Sequence, residues 1–124
     1  MFLTSAAALA VISAAPDALA QPAGALKLTV LYGHPKSPED FEKYYLSTHM
    51  PMVAAVKGIR RMETAKGMPL PDGSAPSFYR IFEAWFDSPE QFASITGSPE
   101  WAKVRADSAN FVTGGVTRLI SRVD

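Results

Sequence analysis

The segment SFYRIFEAWFD, residues 77–87, constrains the fold of this chain more than any other stretch. Successive side chains of a β-strand point to opposite faces of the sheet, and here both alternating sets contain large apolar groups. Phe82 and Phe86 belong to one set, and Ile81 and Trp85 belong to the other. The pattern therefore predicts a strand that is buried on both faces, in a sheet that needs cover on both sides.

Three further segments have the composition and alternation of strands and predict the rest of this sheet. They are LKLTVLY from Leu26, GIRRMETAKG over residues 58–67 and GGVTRLISRV over residues 114–123. The stretch MPLPDGSAPS, residues 68–77, holds proline, glycine and serine at turn positions. It predicts a long hairpin loop before the central strand.

The triplet Ser-Pro-Glu marks three helix starts, at Ser37, Ser88 and Ser98. Each triplet supplies an N-cap hydroxyl, a proline at the first helical position and a carboxylate near the positive end of the helix dipole. The first helix is expected to end at Pro51, and the two that follow are expected to be short. The resulting order β-α-β-β-α-β predicts an α+β, ferredoxin-like fold, with a four-stranded antiparallel sheet and the helices on one face.

Helices on one face leave the other face of this sheet, with its aromatic residues, exposed to water in a single subunit. A contiguous apolar patch of that kind usually marks an interface. Removing on the order of several hundred Å² of it from water, at roughly 25 cal/mol per Å², contributes several kcal/mol before the costs of association. The sequence therefore predicts a homodimer in which two sheets meet face to face and close into a dimeric α+β barrel with two-fold symmetry.

The composition narrows the classes of partner. The chain has 124 residues, 48% of them hydrophobic and 19% charged, which fits one soluble domain. Twelve basic and twelve acidic residues cancel, and the only adjacent basic pair is Arg60-Arg61, so the charge pattern of a nucleic-acid or anionic-membrane binder is missing. There is no cysteine, which excludes disulfides and thiolate nucleophiles. A small hydrophobic ligand is the expected partner.

Residues 1–20 have the features of a secretory signal peptide. The apolar run ends before Pro16, and Ala18-Leu19-Ala20 places small residues at the two positions that a signal peptidase reads. No Lys or Arg precedes the apolar run, where a positive charge is usual. We expect residues 1–20 to be a signal peptide, residues 21–25 a linker and residues 26–124 the domain, which is exported to the periplasm or secreted without stable membrane association. If residues 1–20 are not a functional signal, a cytoplasmic location is expected instead.

The segment YYLSTHMPM, residues 44–52, places two tyrosines and a histidine in the last turns of the first helix. At about 100° per residue, four side chains form the stripe that faces the sheet: Phe41, Tyr45, Thr48 and Met52. Tyr44 and His49 flank this stripe on opposite sides, so His49 is expected at the border between core and water. Two interpretations stay open. Either His49 ends the helix while the tyrosines pack in the core, or Tyr45 and His49 project into an apolar pocket as an orienting donor and a general acid or base.

Glu83 is a third candidate catalytic residue, because an ionised carboxylate in a strand buried on both faces needs a partner. Either it forms a salt bridge with Arg61 or Arg118, or it acts as a base. Six residues are candidates for contacts with a hydrophobic substrate: Tyr32, Tyr44, Met52, Tyr79, Trp85 and Phe111. A metal site would require His34, His49 and a carboxylate such as Glu83 to converge, so no metal is expected. The chain has no glycine-rich phosphate loop and no dinucleotide fingerprint, so no cofactor is expected either.

Four motifs together resemble the EthD family, small proteins named for the ethyl tert-butyl ether degradation cluster. The motifs are VLYGHP, DFEKYYLSTHMPMV, FDSPEQF and RADSANFVTGG, and the resemblance covers Leu26 to Val123. It implies a dimeric α+β barrel and places His49 in the family motif. Family members are labelled reductases or degradation proteins, and the wider superfamily contains monooxygenases, isomerases and cyclases. The fold alone does not select among these activities.

Three functions follow as hypotheses. The first is a cofactor-independent enzyme, of an oxidoreductase, monooxygenase-like or isomerase-like type, in which His49 and Tyr45 move protons on a small hydrophobic or aromatic compound. The second is a non-catalytic binding or carrier protein for a small apolar ligand. The third is a dimer whose interior is packed solidly and holds no cavity.

Overall fold

The computed structural model describes residues 23–124, and the predicted signal peptide lies outside the described residues. The sheet has four antiparallel strands: β1 (Leu26–Tyr32), β2 (Arg61–Lys66), β3 (Arg80–Phe86) and β4 (Val116–Arg122). Their spatial order is β2-β3-β1-β4, so β3, the strand predicted to be buried on both faces, lies inside the sheet. The predicted ferredoxin-like α+β fold is confirmed.

The helices begin where the Ser-Pro-Glu triplets predict. They are α1 (Pro38–Tyr44), continued by a π-helical turn (Tyr45–His49) and α2 (Met50–Ala54), then α3 (Pro89–Thr96) and α4 (Pro99–Asp107), which runs into a 3₁₀ turn (Ser108–Asn110). The hydroxyl of Ser37 accepts a hydrogen bond from the Asp40 N–H at 3.3 Å. The hydroxyls of Ser88 and Ser98 cap α3 and α4 in the same way, at 3.1 and 3.2 Å. The three predicted helix starts are therefore confirmed.

The expectation that Pro51 ends the first helix is wrong. The Met50 N–H donates to the Tyr45 carbonyl five residues back, which widens the turn over Tyr45–His49. A proline has no N–H to donate, and its ring crowds the carbonyl groups of the preceding turn. The widened turn accommodates both the missing hydrogen bond and the ring. The helix continues through Pro51 to Ala54.

The π-helical turn also changes which side chains face the sheet. Thr48, placed on the buried stripe by uniform α-helical spacing, is exposed. His49, expected at the border between core and water, is only 4% exposed. An extra residue in one turn shifts every later side chain around the helix axis, and this shift carries His49 into the core.

The two faces of the sheet have different surroundings. Leu28, Val30 and Phe82 are buried on the face that the helices cover, which we call the helix face. On the opposite, open face, Ile81 and Trp85 are half-buried and Leu119 is 57% exposed. Burial of both faces of β3 was expected, and within residues 23–124 only the side chains of β3 on the helix face are buried. In the same part of the chain, no helix has the length and apolar character needed to cross a bilayer.

Candidate active site

His49 and Asp107 form a buried pair between the first helical segment and α4. The His49 Nδ1 lies 2.9 Å from the Asp107 Oδ2, and the two side chains are 4% and 8% exposed. Asp107 reaches this position because Trp101, Val104 and Asp107, spaced three residues apart, form the buried stripe of α4. The stripe thus ends in a carboxylate that faces His49.

Three hydrogen bonds hold Asp107 in its ionised form. Besides His49, the Tyr44 hydroxyl donates to the Asp107 Oδ1 at 2.6 Å and the Asn110 Nδ2 donates to it at 3.0 Å. Burial by itself would raise the pKa of Asp107, but these donors outweigh burial and lower the pKa below its usual value. The ionised carboxylate accepts the Nδ1–H of His49 and so fixes the tautomer, which leaves Nε2 as the nitrogen available to a ligand. No residue from 23 to 124 hydrogen-bonds to Nε2.

Aromatic rings fix the orientation of the His49 imidazole. The centroid of the Phe111 ring lies 4.5 Å from the centroid of the imidazole. The Tyr45 ring stacks on the imidazole with a centroid distance of 5.9 Å and an interplanar angle of 25°. Tyr45 is fully buried, and its hydroxyl is hydrogen-bonded to the Thr64 Oγ1 at 2.6 Å. Burial raises the pKa of Tyr45, so its hydroxyl stays protonated. Tyr45 therefore supports the His49 ring and does not present a free hydroxyl beside it.

A cavity of about 720 Å³ lies between α4 and the β1–β4 side of the helix face. His49 is part of its wall, whereas Asp107 lies behind His49 and does not line it. Most of the wall is apolar: Leu28, Val30, Val53, Phe82, Phe92, Trp101, Ala102, Val104, Ala106 and Ile120. The remaining lining residues are polar or charged: Tyr32, Thr96, Arg105, Ser108 and Arg118. A space of this size suits a small organic molecule whose body is largely hydrophobic.

The structure brings some of the predicted site residues together and separates others. Tyr32 lines the cavity, and Phe111 contacts the His49 ring. Tyr44 lies behind the site, where its hydroxyl binds Asp107. Tyr79 packs edge-on against Phe41 at 5.1 Å, and Met52 is half-buried against the core, so neither lines this cavity.

Glu83 and Trp85 lie on the open face, across the sheet from His49. Glu83 forms a salt bridge with Lys27 at 3.0 Å, so its partner is neither Arg61 nor Arg118. The Trp85 ring lies between two cations, with the Lys27 Nζ at 5.6 Å and the Arg61 Cζ at 5.1 Å from its centroid. Within one subunit these groups do not reach the cavity.

His34 is exposed and also lies apart from His49, with its Nε2 2.8 Å from the Pro76 carbonyl oxygen in the hairpin loop. Residues 23–124 contain no cluster of three or more His, Asp or Glu side chains that could hold a metal ion.

The sequence patterns do not identify three of the site residues: Asp107, Arg105 and Arg118. The signal for Asp107 was present: a carboxylate three residues after Val104 continues an apolar stripe that otherwise faces the core. The two arginines gave no comparable signal, because alternation in β4 alone does not tell which face of the sheet carries a cavity.

Residues 34–115 match the EthD domain. The chain belongs to the EthD family. An uncharacterized 11.0 kDa protein of Rhodococcus erythropolis, encoded in the thcB-thcC intergenic region, is 36% identical over 95 residues, which is 77% of this chain and 91% of that protein. The resemblance inferred from the four motifs is thereby confirmed.

Two solved structures show the same fold. An EthD family protein of Bacillus halodurans is 25% identical with a TM-score of 0.74, covering 81% of this chain and 99% of that one. An EthD-like protein of Ralstonia eutropha is 27% identical with a TM-score of 0.67, covering 82% and 94%.

Proposed function

We propose that this EthD-family protein is a cofactor-independent enzyme that moves a proton on a small hydrophobic compound, with His49 as the acid–base group. The observation that carries the proposal is the buried Asp107–His49 pair, whose Nε2 has no partner among the described residues and whose imidazole forms part of the wall of an apolar cavity. A polar group directed at an apolar site costs stability unless it is used.

The chemistry that fits this geometry is proton abstraction next to a carbonyl group. The Nε2 lone pair takes a proton from the carbon, and the electron pair of the broken C–H bond moves onto the carbonyl oxygen to give an enolate. The imidazolium that forms donates its Nδ1–H to Asp107, and the carboxylate stabilises the positive charge. Return of a proton to the same carbon or to another one completes an exchange or an isomerisation. Glu83 takes no part, because it lies across the sheet.

The rings around His49 supply what such a base needs. Phe111 and Tyr45 restrict the imidazole to one orientation, and His49, which is only 4% exposed, is shielded from bulk water. A positioned general base contributes about 10²- to 10⁴-fold to a reaction rate. A rate enhancement of this size is sufficient for removing a proton from a moderately acidic C–H group.

We also propose that two subunits associate through the open face. Trp85, Ile81 and Leu119 are incompletely covered there, and the oppositely charged pairs Lys27–Glu83 and Arg61–Glu63 lie among them. A dimer formed by two such sheets keeps each cavity on the outer side of its own sheet, between the sheet and its helices.

The experiment that tests the proposed reaction is hydrogen–deuterium exchange into aromatic carbon acids, for example 2-tetralone and phenylpyruvate, followed by proton NMR in D₂O. The protein is expected to speed the loss of the α-proton signal above the buffer rate. His49→Phe should abolish the acceleration, and His49→Gln, which still offers a donor to Asp107, should abolish it as well. Circular dichroism and thermal melting of both variants establish that the fold survives.

The alternative is a carrier that binds a small apolar ligand without converting it. It is favoured by the state of Tyr45, whose hydroxyl is engaged by Thr64 and is not available as a second catalytic group. Saturable binding of such compounds with exchange no faster than in buffer would support the carrier and contradict the enzyme. Binding that is absent altogether would contradict both.

A further inference from the structure

The charged groups on the cavity wall are predominantly positive. Arg118 of β4 and Arg105 of α4 line the cavity, and no Asp or Glu does. Among residues 23–124, neither arginine takes part in an ion pair. Asp107, the buried carboxylate behind His49, is already engaged by three donors. An unpaired guanidinium at the edge of an apolar space favours an anionic ligand.

Tyr32 supplies a second, independent observation. It lines the same cavity, its side chain is only 4% exposed, and its hydroxyl has no hydrogen-bond partner among the described residues. Burial raises the pKa of Tyr32, and the positive charge of Arg118 offsets this only in part, so the hydroxyl remains a proton donor. A buried hydroxyl without a partner is costly, and an oxygen atom of a ligand would satisfy it.

The sheet register brings these two groups to the same place. Val30 pairs with Arg118 and Tyr32 pairs with Val116, so Tyr32 and Arg118 are diagonal neighbours on adjacent strands and on the same face. Diagonal neighbours of this kind have Cα atoms about 7–8 Å apart, within reach of long side chains. A fork-shaped guanidinium beside a phenolic O–H is suited to the two oxygens of a carboxylate.

We propose that Tyr32 and Arg118 form a carboxylate-binding subsite of the cavity, so that the natural ligand is a small hydrophobic carboxylic acid. The apolar wall takes the body of the ligand, and the subsite takes its carboxylate. As far as it names a substrate, this inference rests on the proposed function, because the carbon that loses its proton would lie beside the His49 Nε2. The binding preference itself does not depend on a reaction.

The test is isothermal titration calorimetry of the full-length protein with 2-naphthoate and with 2-naphthamide, two probes of the same shape that differ in charge. The wild type is expected to bind the carboxylate about tenfold more tightly than the amide, as charge-assisted hydrogen bonds do. Arg118→Gln should reduce this preference to within about twofold, and Tyr32→Phe should weaken naphthoate binding more than naphthamide binding, because a hydrogen bond to a charged oxygen is the stronger one. The preference of the wild type should shrink as the salt concentration rises.

Arg122→Gln is the matched control. Arg122 is on β4 and, by register with Leu26, on the same face as Arg118, and it does not line the cavity. The variant removes the same charge and is expected to keep the full preference for naphthoate. Equal affinities of the two probes for the wild type would overturn the inference. So would loss of the preference in Arg105→Gln together with its retention in Arg118→Gln, because the carboxylate would then bind to the opposite wall.

The two proposals fail in distinguishable ways. A preference for naphthoate that persists in His49→Phe, in a protein that catalyses no exchange, supports the subsite and contradicts the enzyme. Exchange that depends on His49, in a protein without any preference for naphthoate, supports the enzyme and overturns the subsite.

Discussion

Asp107 determines what His49 can do, although the two residues are separated by 58 positions in the chain. His49 is identifiable from the sequence because a titratable ring near the apolar stripe of an amphipathic helix is unusual. Its partner was not, because the contact exists only after α4 has packed against the first helical segment. Local patterns find single candidates, and pairs that act together depend on the tertiary fold.

Asp107→Asn is expected to lower the His49-dependent exchange rate by about 10²- to 10⁴-fold. An amide offers a weaker acceptor to the Nδ1–H and does not stabilise the imidazolium. The NMR exchange assay with phenylpyruvate measures the effect. Asp72→Asn, which removes the same charge from the exposed hairpin loop, should leave the rate unchanged. An unchanged rate in a folded Asp107→Asn variant would contradict the role given to the pair.

Loss of the hydroxyl should affect mainly stability at Tyr45 and mainly the exchange rate at Tyr44. Tyr45→Phe keeps the ring that stacks on His49 and loses the bond to Thr64, so we expect a loss of about 1 kcal/mol in unfolding free energy and an exchange rate within about threefold of the wild type. Tyr44→Phe removes a donor from Asp107, so we expect the exchange rate to fall about tenfold.

Urea denaturation and the exchange assay on both variants check this prediction. The sequence pattern favours Tyr45 as the catalytic tyrosine, whereas the geometry assigns the larger kinetic effect to Tyr44. A large kinetic loss in Tyr45→Phe with a small one in Tyr44→Phe would restore the original interpretation.

The helix starts and the π-helical turn show what short segments of sequence determine. The serine caps depend on residues two or three positions away, so Ser37, Ser88 and Ser98 could be predicted from the triplets alone. The turn over Tyr45–His49 depends on the continuation of the helix beyond Pro51, which the sequence does not show. The same turn moved His49 from the predicted border into the core, and so the burial of the site could not be derived from α-helical spacing.

The ion pair between Glu42 and Arg80 ties α1 to β3. The Arg80 Nε and Nη2 donate to the two Glu42 carboxylate oxygens at 2.9 and 2.7 Å, and Arg80 is 6% exposed. These hydrogen bonds, aided by the positive charges of Arg80 and Lys66, lower the pKa of Glu42 although partial burial opposes them. A carboxylate whose pKa is lower in the folded state stabilises the fold above its unfolded pKa, about 4.3, and loses this contribution as the pH falls through the folded value.

The unfolding free energy should therefore decrease as the pH is lowered from 5 to 3, with Asp107 contributing in the same direction. Glu42→Gln should be less stable than the wild type at pH 6 and should show a shallower decrease toward pH 3. Glu39→Gln removes the same charge from an exposed residue of α1 and should keep the wild-type slope. Urea denaturation at each pH measures the effect, and parallel curves for the wild type and Glu42→Gln would contradict it.

The architecture was predictable to a greater degree than the site. The order of elements followed from alternation, caps and turn residues, each a local property, and the sheet order confirmed it. The cavity was not predictable, because it is the gap that remains between α4 and the β1–β4 side of the sheet after both have packed. Tyr32 shows the difference. Alternation along β1 predicts that its side chain shares a face with Leu28 and Val30, but only the structure shows that its hydroxyl has no partner among the described residues.

The open face of the sheet is the expected dimer interface, because β3 has apolar side chains on both faces and only one of these faces is buried within a subunit. Leu119 is 57% exposed on that face, where its register with Thr29 places it beside the central strands. A stable interface buries about 800 Å² per partner, and a carboxylate introduced into its apolar part would be left without a partner. Leu119→Glu is therefore expected to convert a wild-type dimer into a folded monomer at micromolar concentration, as measured by sedimentation equilibrium.

Leu46→Glu provides the matched comparison for this interface. Leu46 is 52% exposed and belongs to the π-helical turn on the helical side, so the same substitution there should leave the dimer intact. Because each cavity lies on the helix face of its own sheet, the Leu119→Glu monomer should retain naphthoate binding and should lose thermal stability through its newly exposed sheet. A wild-type protein that sediments as a monomer, or a Leu119→Glu variant that stays dimeric while Leu46→Glu dissociates, would place the interface elsewhere. The half-buried Trp85 ring would then have to be stable in water, with the cationic groups of Lys27 and Arg61 over it.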